Sequence, residues 1–192
     1  AKDIAAICPK AWLIQSGNPV FDGCTLMTRE TGINCIGLCH GHYHYMEVAQ
    51  TIGLDPAKVT WQAPGFNHNI WMTHFIYEGK DAYPLIDEWV ATKGEEYWRT
   101  HVAKQTHDAQ MSRGAIHQYH LYGLMPIGDT VRSGGWWYHT DIVAKKRWFG
   151  EPWGGPDTEL ARPVHVEGLE KRLAEMARLI QDPKARVTEV FG

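Results

Sequence analysis

The sequence predicts an α/β fold in which a short parallel sheet near the N-terminus leads into a mixed set of helices and strands. Two apolar strand patterns, residues 11–16 and 34–38, alternate with helical patterns in the first part of the 192-residue chain. Strands that alternate with helices are typical of parallel sheets, and the functional sites of such sheets lie at the carboxyl ends of the strands. After Pro56 the pattern changes to paired strands, loops and longer helices.

Proline, glycine and asparagine mark the ends of the predicted elements in the first part. Pro9 ends the first helix, because proline cannot continue one. Asn18 is a favoured N-cap residue and Pro19 suits a first helical turn, whereas Gly53 closes the last helix. In order, these elements are a helix at residues 3–8, a strand at 11–16, a helix at 20–31, a buried strand at 34–38 and a helix at 43–52.

The rest of the chain combines strand patterns with amphipathic ones. Leu169, Leu173, Met176 and Ile180 recur at helical spacing, which predicts a helix near the C-terminus. The expected elements are strands at residues 59–63 and 70–77, an amphipathic segment at 83–92, an irregular stretch at 93–108, a helix at 112–124, a Gly/Trp-rich stretch at 126–156 and a helix at 164–181.

Composition limits the classes of function. Hydrophobic residues make up 44% and charged residues 21% of the chain, as in ordinary globular proteins. The net charge of −3 and the pI of about 6.4 argue against nucleic acid as a partner, and no apolar run approaches the roughly 18 residues of a membrane span. Residues 1–10 lack the apolar core of a secretion signal, so we expect four free thiols and a cytoplasmic location.

The first chemically notable segment is Cys39-His40-Gly41, at the end of a predicted strand. A thiolate there can bind a borderline-soft metal ion together with an imidazole from elsewhere. His42 and His44 add two more imidazoles nearby. The alternative is an inert buried cysteine followed by solvated histidines, since free cysteine is often buried.

The second segment is the loop at residues 65–71, which contains Asn67, His68 and Trp71. Amides can hydrogen-bond sugar hydroxyls, and the indole could stack on a sugar face. Turn chemistry explains the same residues equally well, because asparagine favours tight turns.

The third segment is a glycine-flanked turn that carries Asp129, with Arg132 three residues further on. A neighbouring arginine lowers the pKa of a carboxyl group and fixes its orientation. It also presents a fork of donors to substrate oxygens. A purely structural ion pair remains the alternative.

Taken in order, these segments resemble glycoside hydrolase family 4, the NAD-dependent glycosidases. The Cys-His-Gly form is similar to the α-glucosidase and α-glucuronidase branches of that family. Residues 81–89 and 145–157 agree with it as well. The motifs that carry the resemblance are residues 15–20 (QSGNPV), 37–43 (GLCHGHY), 65–71 (GFNHNIW) and 125–132 (MPIGDTVR).

The resemblance implies the domain organisation of an internal portion of a family member. Residues 1–56 would be the end of an NAD-binding Rossmann-like domain, the C-terminal part of its parallel sheet. Residues 57–192 would be an incomplete, mixed α+β catalytic domain that holds substrate and metal and resembles the C-terminal fold of lactate and malate dehydrogenases. No Gly-x-Gly-x-x-Gly turn follows a strand, so we expect this chain alone to bind NAD⁺ weakly.

The resemblance also implies a mechanism, redox-assisted elimination of an α-glucoside. NAD⁺ takes hydride from C3 of the sugar, a base removes the acidified C2 proton, the aglycone leaves, water adds and the hydride returns. A divalent metal polarises the C2 and C3 oxygens. By motif, Cys39 and His68 would hold the metal and Asp129 would be the C2 base. His40, which follows the ligand cysteine, would be the general acid.

The implied contacts to substrate and cofactor complete the set. Asn18 and Asn67 would be substrate amides, with Asn18 also beside the cofactor, and Arg132 would contact substrate or Asp129. The implied cofactors are NAD and Mn²⁺ or another divalent metal, although affinity order alone would favour zinc at such ligands. The implied partners are a small-molecule α-glycoside and further copies of the chain in a dimer or tetramer.

Several alternatives stay open on the sequence. The enzyme could act as an α-glucuronidase or α-galactosidase of the same family. The chain could also be a non-catalytic remnant that keeps only the metal site. A third hypothesis is that the chain is a small metal-binding or structural protein whose 9 Trp and 11 His serve packing.

Overall fold

The computed structural model describes residues 1–181, so residues 182–192 of the predicted segment 57–192 lie outside the described part. Within residues 1–181, no helix is long and apolar enough to cross a membrane. The α-helices are α1 (Lys2–Ile7), α2 (Val20–Thr31), α3 (Tyr45–Thr51), α4 (Tyr83–Trp89), α5 (Glu95–Thr100), α6 (Arg113–Tyr122), α7 (Thr130–Ser133), α8 (Ile142–Phe149) and α9 (Arg162–Ile180). The strands are β1 (Trp12–Gln15), β2 (Asn34–Gly37), β3 (Val59–Gln62), β4 (Gly65–Phe66), β5 (Asn69–Met72), β6 (His74–Tyr77), β7 (Lys80–Asp81) and β8 (Met125–Ile127).

After α1, the first part of the chain forms a two-stranded parallel sheet that carries a helix on one face. β1 and β2 run parallel, with Ile14 opposite Ile36, which confirms the predicted parallel unit. α2 packs against this sheet, and the sulfur of Cys24 lies 3.6 Å from that of Cys35. No described element covers the other face, where Ile14 and Ile36 are exposed. The expectation of a buried strand at residues 34–38 is therefore wrong, because only one face of the sheet is covered.

The start of α2 differs from the expected cap. Pro19, not Asn18, occupies the N-cap position, and no side chain caps the helix there. The helix otherwise spans the predicted residues and ends at Gly32, which adopts the left-handed conformation. Asn18 is thereby left to line the cavity described below.

Two three-stranded antiparallel sheets follow, in the orders β3-β6-β7 and β4-β5-β8. The single strand expected at residues 70–77 is two strands, because the chain bends at Thr73, whose N–H donates to the carbonyl of Gln62 at 2.8 Å. β5 consequently pairs with β8, whereas β6 pairs with β3. The β4–β5 hairpin is therefore fixed beside the segment that leads into Asp129.

Helical structure extends further than predicted. α5 occupies part of the stretch at residues 93–108 that was expected to be irregular, and a π-helical turn, Val90–Gly94, joins it to α4. Tertiary contacts hold α5 in place: the guanidinium of Arg113 donates two hydrogen bonds of 2.9 Å to Glu95. The local sequence contains no apolar period that would have revealed this helix.

The core packs the antiparallel sheets against α4 and α6. Its largest fully buried side chains include Met72 of β5, Phe75 of β6 and Met125 and Ile127 of β8. The helical stripe expected near the C-terminus lies on α9, where Leu169, Leu173 and Met176 are exposed. Since β5 and β8 are anchored in the core, the turns at their ends have a rigid base.

Candidate functional site

A cavity of about 540 Å³ opens where the parallel unit meets the β4-β5-β8 sheet. Such a volume suits a small molecule. The cavity brings together all seven residues to which the family resemblance assigns a role, although these residues come from separate segments of the chain. The expected residues in its wall are Asn18, Cys39, His40, Asn67, His68, Asp129 and Arg132.

Three of these residues form a cluster that can hold a metal ion. Donor atoms of Cys39, His68 and Asp129 all lie within 4.8 Å of one another. The Nε2 atom of His68 is 3.1 Å from Oδ2 of Asp129. A thiolate, an imidazole and a carboxylate fit a divalent transition metal, and three protein ligands leave coordination positions open, as catalytic sites require.

The end of β2 places Cys39 in this cluster. The chain turns there into a short 3₁₀ helix, His40–His44, which begins directly after the cysteine. Nδ1 of His42 is hydrogen-bonded to the carbonyl of Cys39 at 2.6 Å, and its ring stacks on Trp61, outside the cavity. His40 and His44 line the cavity instead.

A tight turn places His68 in the cluster. Asn67 and His68 connect β4 to β5, and His68 has a positive φ of 55°. Histidine is one of the few residues besides glycine that is enriched in this left-handed region. Trp71, the possible sugar-stacking residue, does not line this cavity, and its indole N–H donates to Oδ1 of Asn69 at 2.6 Å.

Two glycines allow the Cys39 and Asp129 segments to approach each other. Gly128 has a φ of 60°, and a Cβ at this position would lie 2.8 Å from the Cα of Gly41. Any larger residue at position 128 would push the Asp129 turn away from the 3₁₀ helix. The spacing of the cluster therefore depends on this glycine contact.

Gly128→Ala is expected to destabilise the chain more than a matched change at Gly123. Alanine at Gly123, with a φ of 70° and no atom within 4 Å of the added Cβ, carries only the left-handed penalty of about 1–2 kcal/mol. Gly128→Ala adds a backbone clash that costs about 1–3 kcal/mol more. Urea unfolding of both variants measures the difference, and equal losses would contradict the proposed contact.

Arg132 holds Asp129 as an anion. Burial raises the pKa of Asp129, but the hydrogen bond and charge of Arg132 outweigh it and hold the pKa below its usual value. The same guanidinium forms an ion pair with Asp157, and its side chain is only 16% exposed. The structure thus brings Arg132 to Asp129, one of its two expected partners.

Four further polar residues line the cavity, namely Asp22, His44, His107 and Gln110; of these, only His44 was singled out in the sequence, as an additional imidazole. Desolvation and the charge of Arg132 lower the pKa of His107, so its imidazole is neutral near pH 7. His107 lies in a polar stretch without a motif or a period, and nothing in the local sequence could have singled it out. The histidine run at residues 40–44 was the available indication for His44.

A cluster of Cys39, His68 and Asp129 lies at the junction of the parallel α/β unit and the antiparallel sheets, the kind of arrangement that a catalytic metal site of an enzyme requires. Sequence comparison then identifies the family. The family 4 glycosyl hydrolase profile matches residues 1–54, and the profile of the C-terminal domain of that family matches residues 63–189, more than half of the chain. The chain belongs to family 4 of the glycosyl hydrolases, which confirms the resemblance found in the sequence.

Individual relatives agree with this family. The α-galactosidase of Bacillus subtilis strain 168 is 32% identical over 87 residues, which are 45% of this chain and 20% of the relative. The lplD protein of Bacillus subtilis, assigned as a glucosidase, superposes with a TM-score of 0.62 at 22% identity over 92% of this chain and 42% of its own. A 6-phospho-α-glucosidase from gut microorganisms, solved with NAD and Mn²⁺, gives 0.55 at 17% identity over 95% and 41%.

These comparisons also bear on the fold and on length. The two solved structures share the fold, and together with the C-terminal domain profile they confirm the predicted fold class, a parallel α/β unit that continues into a mixed α+β domain. The chain spans about a fifth of the curated relative and about two fifths of the solved ones.

Proposed function

We propose that the chain forms the metal- and sugar-binding part of an NAD- and Mn²⁺-dependent glycosidase that cleaves α-glucosides. The observation that carries this proposal is the convergence of Cys39, His68 and Asp129 to within 4.8 Å beside a cavity lined with amides and imidazoles. The NAD and Mn²⁺ bound to the related 6-phospho-α-glucosidase support the choice of cofactors. The fit of the donor set to a divalent metal supports it independently.

The two cofactors differ in how well this chain can hold them. The metal has its two assigned ligands, Cys39 and His68, in place beside Asp129. A dinucleotide instead needs a glycine-rich turn between a strand and a helix for its pyrophosphate. This sequence has no such turn, so NAD would depend on a nucleotide-binding segment beyond these 192 residues. We assign residues 1–56 to the sheet of that nucleotide domain and residues 57–192 to the catalytic domain. The two profile matches support this division, because the boundary falls between the end of the first match at residue 54 and the start of the second at residue 63.

The side chains of the cavity have distinct roles in this proposal. Asp129, kept ionised by Arg132, accepts the proton from C2 of the sugar. His40, exposed at the cavity wall, donates a proton to the departing aglycone oxygen. A divalent cation held by Cys39 and His68 would polarise the sugar oxygens.

The amides select and orient the sugar. Asn67 and Asn18 both line the cavity and offer paired donors and acceptors to sugar hydroxyls. Asn18 lies between β1 and α2 of the parallel unit, and we assign it to the cofactor as well as to the sugar. Arg132 acts mainly through Asp129, because its guanidinium is shared between two carboxylates.

One observation favours a second substrate. One relative, 32% identical over 87 residues, is an α-galactosidase. An α-galactoside differs from an α-glucoside only in the orientation of the C4 hydroxyl, and the same amides and metal would serve both. We also propose a cytoplasmic location, since a metal-binding thiolate requires reducing conditions and all four cysteines are free. A dimeric or tetrameric state is proposed from the family resemblance alone.

Turnover is expected to require both NAD⁺ and Mn²⁺. The test uses a completed enzyme, defined as residues 1–192 joined to the nucleotide-binding segment and the remaining C-terminal segment of a family member. Aryl α-glucoside cleavage should vanish after dialysis against a chelator and return only when both cofactors are added, with aryl α-galactoside assayed in parallel. Each single addition is the control. Equal cleavage without NAD⁺ would support an ordinary two-carboxylate glycosidase and contradict the proposal.

A further inference from the structure

We infer that Thr130 and Gln110 are positioning residues that hold the three metal donors at binding distance. Neither residue is among the expected site residues, and neither contributes a donor to the cluster. The inference rests on the metal centre of the proposed function. It concerns how the chain holds together turns that are far apart in the sequence.

Thr130 links the His68 turn to the Asp129 turn through one hydrogen bond. Its side chain is fully buried, and its Oγ1 accepts a hydrogen bond of 2.7 Å from the backbone N–H of Ile70. Thr130 directly follows Asp129, and Ile70 is two residues after His68. The bond therefore ties together the backbones that carry two of the donors, although they are about 60 residues apart.

Gln110 holds the segment on the other side of Asp129. This side chain is 2% exposed, and its Nε2 donates to the carbonyl of Pro126 at 2.6 Å. Its Oε1 accepts a hydrogen bond of 2.8 Å from the N–H of Gly128. One buried amide thus fixes both ends of the short segment that enters the Asp129 turn and touches Gly41.

The Thr130 bond adds a direct link between the His68 and Asp129 turns to the restraint that the β4–β5 and β5–β8 pairing already supplies. β4 is only two residues long, and the His68 side chain is 44% exposed. Without the Thr130 hydroxyl, the N–H of Ile70 loses its partner, and the turn can move relative to Asp129. The donor separation of 3.1 Å between His68 and Asp129 would then no longer be set in advance.

The test measures cobalt binding to the chain, with Co²⁺ alone as the probe and thiolate-to-cobalt absorption as the readout. Thr130→Val keeps the shape of the side chain and removes the hydroxyl, whereas Thr130→Ser keeps the hydroxyl. Loss of a group that orients a metal ligand costs about 10- to 100-fold in affinity. We expect that loss for Thr130→Val, and Thr130→Ser should bind within a few-fold of the unmodified chain.

Thr158 offers a matched control for the cost of removing a buried hydroxyl. It is 5% exposed, and its Oγ1 donates to the carbonyl of Trp153 at 2.8 Å, away from the cavity wall. Thr158→Val should lower stability in urea without changing cobalt affinity. Gln110→Met provides a second variant that acts from the Asp129 side, and it should weaken cobalt binding in the same way if Thr130→Val does not fold.

The outcomes separate this inference from the proposed function. If the unmodified chain has no thiolate-bound cobalt, the metal centre is absent and both proposals fail. If it binds cobalt and Thr130→Val or Gln110→Met binds equally tightly, only the positioning role is overturned. Weaker cobalt binding by Thr130→Val and Gln110→Met supports the inference, provided that Thr158→Val and Thr130→Ser bind cobalt about as tightly as the unmodified chain.

Discussion

Replacing Cys39 by serine or His68 by alanine is expected to abolish tight binding of Mn²⁺ or Zn²⁺ to the chain. Each change removes one of three donors that lie within 4.8 Å of one another. Loss of a direct ligand should cost more than the roughly 100-fold that follows loss of an outer-shell partner. Metal stoichiometry after anaerobic purification, followed by titration of the stripped protein, measures the effect.

Two residues of the same types serve as controls for this prediction. Cys8 is an exposed free cysteine, and His74 is an exposed histidine of β6; neither lines the cavity. Cys8→Ser and His74→Ala should bind one metal ion as tightly as the unmodified chain. Equal metal binding by Cys39→Ser and His68→Ala would exclude these residues as ligands.

Asp129→Asn is expected to lower turnover by the completed enzyme about 10²- to 10⁴-fold, the usual contribution of a general base. The carboxamide keeps the shape of the side chain but cannot accept the C2 proton. Because Asp129 also lies 3.1 Å from His68 in the donor cluster, metal affinity should fall as well. Turnover should stay low even when the variant is saturated with metal.

The matched control for Asp129 is Asp157, the other carboxylate paired with Arg132. Asp157→Asn removes the negative charge beside the same guanidinium and leaves all three donors of the cluster in place. It should leave turnover within about 10-fold of the unmodified enzyme, as expected for loss of an exposed ion pair. Near-normal turnover by metal-saturated Asp129→Asn would show that another group takes the proton.

Local chemistry accounts for the parts of the fold that the sequence predicted well. α2 covers the predicted residues and begins directly after Pro19, and β1 and β2 are apolar runs between turn residues. The strand pair at residues 69–77 and α5 escaped prediction for a different reason. Their boundaries depend on distant partners, such as Gln62 for Thr73 and Arg113 for Glu95.

The site shows the same division between local and tertiary information. The motifs around Cys39, His68 and Asp129 identified all three residues, but their separation along the sequence does not give the distances between them in space. Only the folded chain reveals that Asp129 joins the two predicted ligands in one cluster. His107 reaches the cavity through tertiary packing from a stretch without any pattern, so no sequence argument could have included it.

The most direct test of the central claim is turnover of an α-glucoside by the completed enzyme in deuterated water, followed by NMR of the released sugar. If Asp129 removes the C2 proton during cleavage, the proton that returns to C2 comes from solvent. The account therefore predicts deuterium at C2 of the product, dependent on NAD⁺ and divalent metal. Products that retain hydrogen at C2 after complete turnover would contradict it.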